Sequence, residues 1–153
     1  MKRIALLTLA LLAVTASVAL AASWQTGDYK GTTAGKFKPA LNKPLRTARL
    51  NFHVGAHKVS KIFVEVRLKC ADGSHTSYQT QHGGTLDIGS DGHFKGGAKT
   101  VGGTGRDVIA GTVSGKTVTG YVRSYDVEDK QGNEDPHGQK CDTGRVTYTA
   151  KKQ

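Results

Sequence analysis

Beyond its first 21 residues the chain has no apolar run long enough to cross a bilayer as a helix, no CxxC pair, no HExxH and no GxSxG. The first absence removes a further membrane-spanning helix. The others remove a dithiol redox centre, a zincin-type metallohydrolase and the nucleophile elbow of a serine hydrolase. Cysteine is reduced to two residues, proline to three, and tryptophan and methionine to one each. No window carries a sustained apolar i, i+3, i+4 pattern, so helices are not expected.

What is present begins with MKRIALLTLALLAVTASVALAASW. Lys2 and Arg3 form a positive start, Ile4 to Leu20 is uncharged, and Ala19-Leu20-Ala21 supplies small residues at the positions export peptidases select. This predicts a secretory signal peptide over residues 1–21, cleaved after Ala21 or Ala22, and a single domain over 22–153. The rival is an uncleaved anchor, but 17 apolar residues diluted by Ser and Thr sit at the short limit for a spanning helix. Removal of Lys2 and Arg3 lowers the formal charge from +10 to +8, with 20 bases against 12 acids. Export places the protein outside the cell, in the periplasm or in the envelope. In such an oxidising compartment the pair Cys70 and Cys141 reads as one disulfide, with a redox or metal pair as the alternative.

Alternation dominates the rest. In KIFVEVRLKC, Ile62, Val64, Val66, Leu68 and Cys70 share one face, while Lys61, Glu65, Arg67 and Lys69 take the other, solvent-facing side. RVTYTAK, DVIAGTV and KTVTGYVRSY read as strands in the same way. GDYKGTT, RLNFHV, HTSYQTQ, TLDI and HFKGG add weaker ones, and KFKPALNKPLRTAR, with Pro39 and Pro44, has no strand character. Turn signals fall between these runs at Val54–Lys58, Ala71–Ser74, Gly89–Gly92 and Ser114-Gly115, and eleven of the 20 glycines lie between Gly83 and Gly115. The expectation is an all-β, antiparallel meander of about eight strands, closed as a small barrel or packed as a sandwich.

Four patterns invite chemistry. AGTVSGKT, residues 110–117, has the spacing of a phosphate-binding loop, but such a loop works by leading into a helix, and VTGYVRSY is a strand pattern. Hence Ser114-Gly115 reads as a hairpin turn. DVEDKQGNED gathers Asp126, Glu128, Asp129, Glu134 and Asp135, hard oxygen ligands of the sort calcium takes, although Lys130 and Gly132 break the calcium-loop spacing. The plainer reading is a solvated turn before the last strand. Lys36, Lys38, Lys43, Arg46 and Arg49, then Lys58, Lys61, Arg67 and Lys69, form a basic surface suited to an anionic extracellular or envelope polymer. The six histidines lack ligand spacing, and Ser90 in GSDGH reads as a hairpin tip and not as a nucleophile. A two-carboxylate hydrolase needs inward acids, and Glu65, the one Glu expected within a strand, has outward parity.

YKGTT, FHVGAHKVSKIFVEVRLKCADGS, SDGHF, GTVSGKTVTGYV and CDTGRVTYTA together resemble a group of small exported all-β bacterial proteins without an assigned activity. Their plan has a Cys-x-Asp-Gly turn, an Asp-Gly-x-Phe hairpin and a terminal Cys-x-x-Gly before the last strand. The resemblance implies an all-β exported domain with one disulfide and carries over no functional residue. The role expected is a non-catalytic binding or envelope-associated module contacting anionic polymers through its basic face. The alternatives are a barrel carrying a small apolar ligand and a secreted hydrolase. No cofactor is expected other than calcium at the acidic segment, and no sequence-specific nucleic-acid contact.

Overall fold

The structure is a computed structural model that describes residues 23–99 and 104–153; the expected signal peptide lies outside them. Strict alternation over so much of the chain leaves little else to build but sheet, and ten antiparallel strands form. They are β1 (Gly27–Phe37), β2 (Arg46–Val54), β3 (Lys58–Cys70), β4 (His75–His82), β5 (Leu86–Asp87), β6 (His93–Lys99), β7 (Arg106–Ser114), β8 (Thr117–Glu128), β9 (Gln139–Asp142) and β10 (Val146–Lys152). No helix occurs among the described residues. The stretch expected to lack strand character contributes the end of β1 and the start of β2, leaving only residues 38–45 as connection.

Six strands close a barrel in the order β10-β1-β2-β3-β9-β8, with β8 returning to β10. The long strands β3 and β8 carry the remainder on their free edges. β4 and β5 lie along β3, and β7 followed by β6 extends from β8. The seam between β3 and β9 is short, with two paired positions, Lys69 with Asp142 and Cys70 with Cys141. The disulfide joins those two cysteines directly across the seam.

The core follows from the predicted parity of β3, where Ile62, Val64, Val66 and Leu68 are buried. Phe52 sits at its centre, stacked on Tyr29 at 5.9 Å and edge-on to Phe94 and Tyr148 at 6.3 and 6.2 Å. Burying each such ring contributes about 1.5–3 kcal/mol. Gly111 faces this cluster because a Cβ there would stand 2.4 Å from Tyr148 Oη and 2.8 Å from Phe94 Cζ. Trp24 packs against the core from outside the strands, its Nε1 donating to the Gly55 carbonyl at 3.2 Å.

The phosphate-loop string spans β7, a turn and β8. Ser114 pairs with Thr117, so the turn residues are Gly115 and Lys116, one place later than the sequence suggests, and Gly115 adopts φ +55°.

Glu65 corrects the sequence reading more seriously. Its parity opposes Val64 and Val66 as expected, yet it is 1% exposed. At Leu50–Val64 the strand β2 leaves β3, and β9 joins the same edge of β3 only at Lys69. In the gap, the Glu65 carboxylate accepts the backbone N–H of Arg49 at 2.9 Å, standing in for the lost ladder. Arg46 grips both carboxylate oxygens at 2.6 Å, and Arg49 Nη2 donates at 2.9 Å. Burial would push this carboxyl up, but the two guanidinium groups and the Arg49 amide outweigh it and hold Glu65 at about 2.

Candidate functional site

The structure places the nine bases singled out in the sequence in different settings. Arg46 and Arg49 are committed to Glu65, and Lys36 and Arg67 line the same narrow gap between the strands. Lys38 and Lys43 stand exposed on the β1–β2 connection, and Lys58, Lys61 and Lys69 are exposed on β3. Lys61 adopts φ +51° at the irregularity where β3 shifts register against β2.

A second basic surface is assembled by strand pairing alone. On the outward face of β6, β7 and β8, the pairing aligns Lys95, Ala110 and Tyr121 in one row and Arg106 with Tyr125 in another. The Arg145 guanidinium lies 4.8 Å from the Tyr121 ring centre, and that of Arg123 lies 5.8 Å from Tyr125. Together with Val108 these residues line an open groove of about 550 Å³. It continues past Lys95 and Tyr121 into a second hollow of about 660 Å³ bordered by His93, Thr112 and Thr119. Arg123 also pairs with Asp142, which leaves Lys95, Arg106 and Arg145 as the groove's bases without an ion pair among the described residues. The sequence held one sign of this face, the outward parity of Tyr121, Arg123 and Tyr125. Its other members include Lys95 and Arg145, 50 residues apart along the chain, and only pairing brings them together.

On the opposite side of the same sheet the interior is acidic. Along β8 the inward positions run Val118, Val122, Ser124, Asp126 and Glu128, and from β7 Asp107 joins them; all are buried. With Tyr78 and Thr80 of β4 the three acids line a cavity of about 360 Å³, whose rim includes the exposed Gln79, Gln81, Lys99 and Glu134. Asp107 accepts from Thr80 Oγ1 at 2.6 Å, and Tyr78 Oη stands 3.4 Å from its other oxygen. Asp126 accepts from Thr104 Oγ1 at 2.5 Å and from the Val127 amide at 2.8 Å. Glu128, 3% exposed, has no hydrogen-bond partner for Oε2 among the described residues.

Here again the structure corrects the expectation of a solvated acidic turn. Asp126 and Glu128 belong to β8 and point inward, so Glu65 is not the only Glu within a strand. Glu134 reaches the cavity rim, whereas Asp129 and Asp135 hold their own turns, Asp129 accepting from the amides of Gln131 and Asn133 and Asp135 from that of His137. The five acids proposed for calcium therefore divide between cavity and turns. Among the described residues, the one close grouping of three possible metal-ligand side chains is Cys70, Glu128 and Cys141, and its sulfurs are joined in the disulfide. The histidines are dispersed: His53 contacts Asp28 at 2.8 Å, His93 contacts Thr112, and burial holds His82 below its ordinary value.

Burial, followed by the charges of Asp126, Asp129 and Glu134, pushes the Glu128 carboxyl up to about 7. The folded state thus holds this proton more tightly than the unfolded chain does. The resulting stability is complete below pH 4.5 and is lost as pH rises to about 7. Glu128→Gln, of the same shape, is expected to be more stable than the parent at pH 8 by up to about 3 kcal/mol. At pH 4.5 the two should melt alike. Melting curves at both pH values check this; a variant less stable than the parent at pH 8 contradicts it.

Comparison with protein-family models, with curated proteins and with solved structures finds no match for the chain.

Proposed function

We propose that this protein is an exported, non-catalytic binding module that holds an anionic polymer along the outward face of β6, β7 and β8. The observation that carries the reading is the groove in which Lys95, Arg106, Arg123 and Arg145 alternate with Tyr121 and Tyr125. Bases spaced along an open channel attract a charged chain over a long range. Rings interleaved with them offer flat apolar area to a sugar or base, and a guanidinium lying over a ring is already oriented. The disulfide fits an oxidising compartment and hence export. The motifs on which the resemblance to small exported bacterial proteins rests fall at joints of the scaffold: Gly73, Gly92 and Gly144 all have positive φ. The apolar-carrier alternative has less support, because the Phe52 ring cluster occupies the apolar interior.

The test is retention on an anionic polysaccharide column. The parent should elute late, with retention falling steeply as salt rises. The variant Lys95→Gln/Arg106→Gln/Arg145→Gln should lose most of this, the log–log salt slope dropping by about one per contact removed. Lys38→Gln/Lys43→Gln/Lys58→Gln removes the same charge elsewhere and should retain most of the parent's behaviour. Equal loss in both variants would show only net charge at work and would overturn the assignment to this face.

A further inference from the structure

The acidic cavity on the inner side of the same sheet has no part in polymer binding, and its composition is unusual for a chain with this basic excess. Asp107, Asp126 and Glu128 are each no more than 5% exposed, and among the described residues no base forms an ion pair with any of them. Carboxyl groups removed from water without counter-charge are costly, and natural interiors pair them or leave them a ligand to meet. Two of the three use neutral donors on one side, Thr80 for Asp107 and Thr104 for Asp126. Glu128 Oε2, more than nine-tenths buried and lining the cavity, has none.

We infer that this cavity is a binding site for a small organic cation, an aliphatic diamine whose two ammonium groups are divided among Glu128, Asp126 and Asp107. The distances select this class over a metal ion. Ligand atoms around one calcium lie 2.3–2.6 Å from it, so any two of them stand within about 5 Å of each other. The oxygens of Asp107, Asp126 and Glu128 do not form such a group, since the one that exists, Cys70, Glu128 and Cys141, is occupied by the disulfide. Acceptors spread around a volume of about 360 Å³ suit a larger cation with several N–H donors and an apolar stem. Tyr78 supplies the ring surface for that stem. The exposed rim at Gln79, Gln81 and Glu134 provides the way in, with Glu134 adding a fourth carboxylate at the entrance and Lys99, among the described residues, the one base lining it.

The experiment uses putrescine as the probe, titrated by calorimetry into the oxidised exported protein at pH 7.5 and fixed ionic strength, with calcium chloride and 1,4-butanediol in parallel. Putrescine should bind saturably with one site and raise Tm, while butanediol does neither. Glu128→Gln and Asp126→Asn should each weaken binding at least tenfold. Carboxyl-carbon NMR should show the Glu128 titration in the parent moving to lower pH when putrescine is present. Absence of saturable binding, or equal binding by the parent and both variants, overturns the proposal. So does a calcium response that depends on these residues with putrescine inert. Column retention on the anionic polysaccharide is expected to survive Glu128→Gln, so failure of this site and failure of the outer face are read separately.

Discussion

Replacing both Arg46 and Arg49 by Met is expected to destabilise the protein by about 3–5 kcal/mol, because it strands a buried carboxylate without counter-charge. The Glu65 side chain is 0% exposed and takes five of its six hydrogen-bond contacts from these two guanidinium groups, leaving the Arg49 amide alone in the variant. For a domain whose total stability is about 5–15 kcal/mol, this is a large share. The pH dependence should change with it. In the parent the folded value of about 2 lies below the ordinary 4.5, so the stability from Glu65 is present above pH 4.5 and is lost as pH falls toward 2. Without the arginines, only the residue-49 amide opposes burial, and the variant should gain stability on mild acidification as the carboxyl takes up a proton. Adding Glu65→Leu to the double variant should recover much of the loss, since the uncompensated charge is then gone. Urea unfolding at pH 4 and pH 7 measures all three. A double variant within 1 kcal/mol of the parent at pH 7 would mean that Glu65 is served by water and not by the arginines.

Cys70→Ala with Cys141→Ala is expected to cost about 4 kcal/mol, from the entropy of the unfolded chain once its 71-residue loop is released. Its structural effect should be local. The strand β9 meets β3 at two positions only, so hydrogen exchange at Lys140 to Asp142 should accelerate far more than in β1 and β2. Chemical reduction of the parent should reproduce both effects. If the variant loses less than 1 kcal/mol, the seam holds without its bridge.

The architecture was legible because a two-residue period is a local signal. Ile62 to Leu68 and Val118 to Val122 announce their faces within a few positions, and Gly73, Gly92 and Gly115 mark corners by the backbone angles they adopt. What stayed hidden depends on pairing at a distance. Nothing near Glu65 reveals that β2 peels from β3 there and that Arg46 and Arg49, 19 and 16 residues earlier, fold over it. Asp126 and Glu128 continue the inward parity of Val122, yet an acid at an inward position contradicts the rule that apolar residues face the core. The strand pattern in KTVTGYVRSY stops at Tyr125, so the acids after it read as a solvated turn. The outer groove needed the register of three strands before Lys95, Tyr121 and Arg145 could be seen as neighbours.

Successive residues of β8 place Tyr125 on the exterior and Asp126 in the interior, with Arg123 and Ser124 likewise back to back. The strand is thus a partition one peptide thick, with positive charge on its outer skin and negative charge on its inner one. Such a double layer polarises whatever approaches either side: a polyanion settling outside would relieve the groove's own repulsion while deepening the negative potential felt inside. The two sides of the strand therefore share one electrical boundary.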